Sequence, residues 1–370
     1  MARPSVDAAT LIAAWTASGA LPPEAEGAVV AAIRATAAEE RPPLHLKILA
    51  GVGTFLATAF FLAFLLVAQL IAFDSGGGLL SWGLAFIAAG IALSLALPRA
   101  PAGMGRDALA QTAFTALALG KVMSVIGILL LVGDDTPWVP TAAILSVTVI
   151  TYPVSATSLD RVLSPYAAGV AAVVEILSRQ GSGADPSLAI AVLFTLAAAI
   201  AGALLLSHRV PLALRPIGIA ALALMGTLVC LLAAGQDAGA WANGRPLDPR
   251  PIEAVLTLAL MGVIGWAAGG RARLVRPPLI AAMGGAIILG LAGAPGISFA
   301  LLVLVLGHAL HDVPLRVAGS LALPVFLVLW YYGRDMTFLE KSVTLVGTGL
   351  LLLAGQAILV RAGWDREEAP

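Results

Sequence analysis

The sequence predicts an all-α protein folded in a lipid bilayer, a polytopic transmembrane helical bundle of about twelve spans. Three observations predict this class. Of the 370 residues, 60% are apolar and 11% are charged, against about 45–50% and about 25% in ordinary globular domains. The apolar runs are long enough for a bilayer of about 30 Å and lack the alternating polarity of a membrane barrel. Basic residues, finally, concentrate in every second joint between runs.

Residues 1–45 differ in composition from the rest and are predicted to form a short cytoplasmic helical hairpin. The first helix ends at Gly19, and the second begins at Pro22 and ends before Pro42, in keeping with the preferences of Gly and Pro at helix ends. The apolar stripe of each helix is thin. We therefore expect the hairpin to lie against the membrane domain or a partner protein.

The transmembrane helical domain is predicted over 46–361, followed by a short polar cytoplasmic tail at 362–370. The twelve spans have the predicted limits 47–73, 78–97, 108–132, 137–154, 162–178, 187–207, 213–235, 252–269, 277–293, 295–311, 313–332 and 337–360. The fourth, fifth, ninth and tenth are short or interrupted by Pro and Gly, so the predicted count ranges from ten to twelve.

The distribution of basic residues predicts the orientation, because cytoplasmic loops carry an excess of Lys and Arg. With the N-terminus inside, the cytoplasmic side holds Arg3, Arg34, Arg41, Lys47, Arg99, Arg106, Arg161, Arg209, Arg215, Arg271, Arg273, Arg276, Arg316, Arg361 and Arg366. The opposite side holds Arg179, Arg245, Arg250, Arg334 and Lys341. Both ends of the chain are therefore predicted to be cytoplasmic.

The composition also bears on location and on partners. Lysine is much rarer than arginine, and alanine is abundant. This composition indicates a GC-rich bacterial genome and hence the bacterial inner membrane. The net charge is zero, so nucleic acid is not an expected partner. The sequence contains no phosphate-binding loop and no metalloprotease or hydrolase motif. We therefore expect no enzyme activity and no cofactor.

Two ionisable residues are predicted to lie at membrane depth, where charges are rare and often functional. Lys121 falls in the middle of the third span, with Ser124 one turn further on the same side, and Glu175 falls within the fifth span. One interpretation is a proton or anion site. The alternative is a structural bond between helices or a lysine that reaches the membrane surface.

Two weaker clusters lie near the C-terminus. Tyr332 ends the eleventh span, and Lys341 and Ser342 begin the twelfth; they are candidates for a substrate path, but an aromatic belt with an interfacial lysine is favoured. The segment from His308 through His311 to Asp312 has spacing that suits a metal ion if further ligands arrive from elsewhere. Interfacial histidines at a helix end are the favoured interpretation.

The C-terminal pattern of Tyr331-Tyr332, Leu339, Lys341-Ser342, Leu345, Gly349 and Leu351-Leu352 resembles the end of a family of uncharacterised bacterial polytopic membrane proteins with a domain of unknown function. The start of the first span and the joint Asp160–Ser164 are similar to that family too. The resemblance implies genes encoded beside, or fused to, a second such membrane domain and a GDYXXLXY-motif protein. At Gly120-Lys121 the family pattern has Gly-Gln, so Lys121 is a departure.

Two functional hypotheses follow. The first, which the sequence favours, is a non-catalytic component that assembles with other membrane proteins encoded nearby. The alternative is a secondary transporter or permease of a small solute that uses Lys121 and Glu175. Neither the substrate nor the oligomeric state is predicted.

Overall fold

In the computed structural model, the described residues are 75–100, 104–133, 138–155, 157–178, 186–207, 210–234, 247–269 and 277–332, with isolated positions nearer the two ends. Within these ranges the regular structure is helical throughout. The α-helices are α1 Gly76–Ala96, α2 Met104–Val132, α3 Val139–Thr151, α4 Ser158–Ser178, α5 Pro186–Leu206, α6 Arg215–Ala234, α7 Arg250–Ala267, α8 Pro277–Leu291, α9 Pro295–Ala309 and α10 Val313–Tyr332. Short 3-10 turns at Leu97–Arg99 and Leu212–Leu214 adjoin α1 and α6.

Each predicted span between 78 and 332 corresponds to one of these helices. Among the described residues, seven helices are long and apolar enough to cross a membrane. The other three, α3, α8 and α9, have 13, 15 and 15 residues and reach only about 20 to 22 Å, less than the hydrocarbon thickness of about 30 Å. The hairpin at 1–45, the first and last spans and the tail at 362–370 lie outside the described residues, apart from isolated positions.

The chain divides into two compact units, Met1–Ala172 and Val173–Pro370. In the first unit α1 and α2 run antiparallel with their backbones in close approach. A Cβ at Gly83 would lie 2.6 Å from the backbone nitrogen of Ser124, and one at Gly120 would lie 2.7 Å from the Gly83 carbonyl oxygen. Only glycine fits at these positions, so the pair is fixed by small residues, as is common in lipid.

In the second unit α9 is the central helix, with buried residues on all sides, and it packs against α6, α7, α8 and α10. Phe299 of α9 meets Phe326 of α10 edge to face, with ring centroids 6.5 Å apart. Gly290 of α8 lies against Thr257 of α7 with no room for a Cβ, and Ala286 is buried one turn earlier. Small residues therefore set helix spacing in this unit also.

Candidate functional site

The ammonium of Lys121 connects α2 to α4. Lys121 Nζ donates hydrogen bonds to both carboxylate oxygens of Asp160, at 2.7 and 2.8 Å, and to Ser164 Oγ at 2.7 Å. The Ser164 hydroxyl in turn donates to Asp160 Oδ1 at 3.1 Å. Because Asp160 and Ser164 are four residues apart on α4, they share one face of that helix. Lys121, Asp160 and Ser164 together are called the polar cluster below.

The polar cluster is buried and internally satisfied. The lysine side chain is 12% exposed and the aspartate side chain 4%, so solvent screens the pair only weakly. Three acceptor atoms match the three N–H donors of an ammonium group. Buried charges persist when they are paired and hydrogen-bonded, and both charges of the cluster meet that condition.

The position of Lys121 along α2 fixes the depth of the cluster. Lys121 precedes Val132, the last residue of α2, by eleven residues, about 16 Å along the helix. The 13-residue α3 follows after a short link and extends about 20 Å. The joint between α3 and α4, residues 152–157, is therefore level with the middle of α2. The sequence-based topology placed this joint at the cytoplasmic surface.

Hydroxyl groups are concentrated where α3 meets α4. Thr148, Thr151 and Ser155 are buried. The Thr148 hydroxyl donates to the Ser164 carbonyl at 3.4 Å, and the Thr151 hydroxyl donates to the Val147 carbonyl at 2.7 Å. The α3–α4 joint and the helix ends beside it therefore carry several buried hydroxyl groups, and one of them bonds to the backbone of Ser164.

Polar atoms without partners lie around the cluster. Ser124 Oγ, Thr157 Oγ1 and Arg161 Nε are buried and have no hydrogen-bond partner among the described residues. Ser124 faces Gly83 of α1, one turn beyond Lys121. Pro165 lies inside α4 and lacks the N–H that would bond the Arg161 carbonyl, so the first turns of α4 are weakened beside the cluster.

Arg161, predicted as a cytoplasmic marker, belongs to the first turns of α4. Its guanidinium carbon lies 5.8 Å from the centroid of the Tyr152 ring, within the range of a cation–π contact. Arg161 directly follows Asp160 in the sequence, so two residues of opposite charge are adjacent at the start of α4.

Of the two intramembrane candidates, the structure brings only Lys121 into this cluster. Glu175 is buried, 9% exposed, but it lies fifteen residues beyond Asp160 on α4, about four turns. Asp160 is the carboxylate that sequence reasoning missed, because the fifth span was predicted to begin at residue 162. The usable signal was the i, i+4 pair of Asp160 and Ser164 just before Pro165.

The C-terminal candidates do not form a site within the described residues. Tyr332 is 74% exposed and its ring packs edge to face on Tyr331, with centroids 5.3 Å apart. Ser342 is a helical, exposed position. Lys341 lies outside the described residues.

The segment from His308 to Asp312 is a helix-to-helix turn. His311 adopts the left-handed conformation, with φ 55°, and the Asp312 N–H donates to the Gly307 carbonyl at 2.9 Å, the bond of a Schellman motif. The Asp312 carboxylate caps α10 by accepting from the Leu315 N–H at 3.2 Å. Among the described residues, no group of three His, Cys, Asp or Glu is arranged to hold a metal ion.

Comparison with known proteins gives one result. A family model described as a domain of unknown function, DUF4401, matches residues 43–362. Neither a curated protein nor a solved structure matches the chain. The match covers the predicted transmembrane domain, 46–361, and it carries no activity with it.

Proposed function

The chain belongs to the DUF4401 family, and we propose that it is a secondary transporter of a small solute whose path passes the polar cluster. This choice reverses the order of the two sequence-based hypotheses. The observation that carries it is the buried Lys121–Asp160 pair, which lies beside a non-helical joint level with the middle of α2.

The physical reason lies in what lipid tolerates. Backbone that is not helical occurs at membrane depth only where it is buried in protein or lines a water-filled cavity. Transporters place interrupted helices and charged groups at such points, because freed backbone and side-chain oxygens bind the substrate or the coupling ion. The short α3, Pro165 and the buried hydroxyls around Asp160 supply these elements.

The experiment measures flux in proteoliposomes. Purified full-length protein is reconstituted, and currents and internal pH are recorded after jumps of K⁺, Na⁺, NH₄⁺ or H⁺. Asp160→Asn and Ser164→Ala should lower the flux at least about tenfold, the effect of losing about 1.4 kcal/mol of stabilisation. Ser94→Ala removes another buried hydroxyl, on α1, and serves as the matched control.

Two outcomes contradict the proposal. One is reconstituted, folded protein without flux above empty liposomes for any of these ions. The other is flux that Asp160→Asn leaves at the control level.

The location belongs to the proposal as well. We place the protein in the bacterial inner membrane, as a multi-pass protein with both ends in the cytoplasm. The excess of basic residues on one side of the predicted spans supports this orientation. The family resemblance in the C-terminal pattern supports the bacterial origin and nearby membrane-protein partners.

Assembly with another membrane protein is the second candidate, and one surface favours it. On α8, Ala281 and Ala282 are exposed, and a Cβ at Gly284 or Gly285 would meet no atom of a described residue within 4 Å. Glycine lowers helix stability by about 1 kcal/mol relative to alanine. At Gly83 and Gly120 close helix packing accompanies glycine, whereas Gly284 and Gly285 have no such neighbour in the part of the chain that the structure describes, as expected for a surface that a partner helix covers.

Copurification from native membranes tests this candidate. Gly285→Leu should abolish recovery of a bound membrane protein, because the side chain blocks close approach, while Gly285→Ala should keep it. Ala88→Leu, at an exposed position of α1, adds similar bulk elsewhere. A complex that survives Gly285→Leu, or a protein that purifies alone, contradicts assembly through this surface.

A further inference from the structure

We propose that Asp160 and Ser164 form a binding site for a monovalent cation of ammonium size, and that Lys121 occupies this site as a tethered cation. The inference names the ion class for the proposed transporter and rests on it for its physiological meaning.

The first step is the shape of the oxygen set. Three oxygens from two side chains of α4 surround one point, at 2.7, 2.8 and 2.7 Å from Lys121 Nζ. Carboxylate and hydroxyl oxygens are the ligands that hard cations prefer. The distances suit an ion about as large as ammonium, which favours K⁺ and NH₄⁺ over the smaller Li⁺ and Na⁺.

The second step is charge. Asp160 is buried, and a buried carboxylate is stable when a positive charge lies beside it. A free monovalent cation supplies the same charge as the lysine ammonium. Exchange of one for the other therefore keeps the cluster neutral when the displaced Lys121 amine gives up its proton.

The third step is access and exchange. The lysine side chain retains 12% exposure, so the described residues do not enclose it completely. Lys121 belongs to α2, whereas both residues that supply the oxygens, Asp160 and Ser164, belong to α4. The set of ligands therefore stays intact when the lysine side chain leaves. A cation that displaces Lys121 would break the link between α2 and α4, while the glycine contacts hold α2 to α1.

The principal test uses wild-type protein. Purified full-length chain in detergent is reductively methylated at constant pH and ionic strength, with choline replaced stepwise by K⁺, Na⁺ or Li⁺. Mass spectrometry follows the chain's three lysines, Lys47, Lys121 and Lys341, separately. We expect labelling of Lys121 to increase several-fold and to saturate with K⁺, and to change less with Li⁺, while the other two lysines serve as internal controls.

A second measurement uses variants. Lys121→Ala leaves Asp160 and Ser164 without the tethered cation, so K⁺ should raise its melting temperature, by about 3 °C at ten times the dissociation constant and further with the logarithm of the K⁺ concentration. Lys121→Ala/Asp160→Asn should show no such rise. If Lys121→Ala does not fold, the labelling of wild-type protein still decides.

Lys121 labelling that is equal in K⁺ and in choline overturns the site. Ion binding without flux in proteoliposomes supports the site and counts against transport. Flux without ion-dependent labelling supports transport and overturns the site.

Discussion

Removing one charge of the Lys121–Asp160 pair should cost far more stability than removing both. Lys121→Met leaves Asp160 unpaired, and Asp160→Asn leaves the ammonium with weaker acceptors. The double variant carries neither charge and keeps similar side-chain volumes. The three proteins and the wild type form a double-mutant cycle.

The magnitude follows from burial. With side chains 12% and 4% exposed, the pair belongs with buried ion pairs, for which loss of one partner costs about 3–5 kcal/mol. Replacing both charges by neutral groups of similar size is often close to neutral. We therefore expect each single variant to lose about 3 kcal/mol, the double variant to lose about 1 kcal/mol, and the coupling energy to be about 5 kcal/mol.

The assay is reversible unfolding of the full-length protein in mixed micelles, followed by circular dichroism. A second cycle, Lys121→Met with Glu175→Gln, is the control. Glu175 is also buried but lies about four helical turns beyond Asp160, so these two changes should add within about 0.5 kcal/mol.

Additive losses in the Lys121–Asp160 cycle would refute the pairing. Strong coupling in the Lys121–Glu175 cycle would mean that the lysine bonds Glu175 instead. Either result would also remove the basis of the cation site.

Three further predictions concern the fold. Gly83→Ala should lose about 1–3 kcal/mol of stability because its Cβ meets the α2 backbone. Gly77→Ala should be neutral, because a Cβ there lies 4.0 Å from its nearest described atom, Ser75 Oγ. Equal melting temperatures of the two variants would contradict the close α1–α2 contact. Asp312→Ala should lose about 0.5–2 kcal/mol with the cap of α10, and Asp312→Asn, which keeps a capping oxygen, should lose less; an equal loss in both would count against the cap. In a cysteine-free background, a cysteine at Asp135 should react with an impermeant thiol reagent from outside the cell and one at Ala272 only after lysis; the reverse pattern would invert the topology.

Helix positions could be predicted from sequence because the bilayer leaves few alternatives. Apolar runs in lipid must be helical, and their ends carry the residues that start and stop helices. Pro186, Pro277 and Pro295 each stand at the first position of a helix, where the missing N–H costs nothing. Gly269 and Gly293 adopt positive φ where α7 and α8 end.

The partner of Lys121 could not be predicted in the same way. Asp160 is 39 residues away along the chain, and helical periodicity gives the face of a residue but not the helix opposite it. Lipid-facing and protein-facing sides of such helices are almost equally apolar, so pattern carries little information about contacts. The α1–α2 glycine contacts were missed for that reason too.

The short α3 links the fold to the chemistry. A helix that spanned the bilayer would have carried the α3–α4 joint to the surface, where Asp160 would meet water and any lysine opposite would be dispensable. With 13 residues, α3 ends level with Lys121, and the first turn of α4 brings a carboxylate to a depth at which it requires a positive charge. The cation at this point is either tethered, as Lys121, or free. A Lys121→Gln variant therefore separates the two cases: it should be stabilised by K⁺ if the site takes free cations, and should be indifferent to K⁺ if the lysine alone satisfies Asp160.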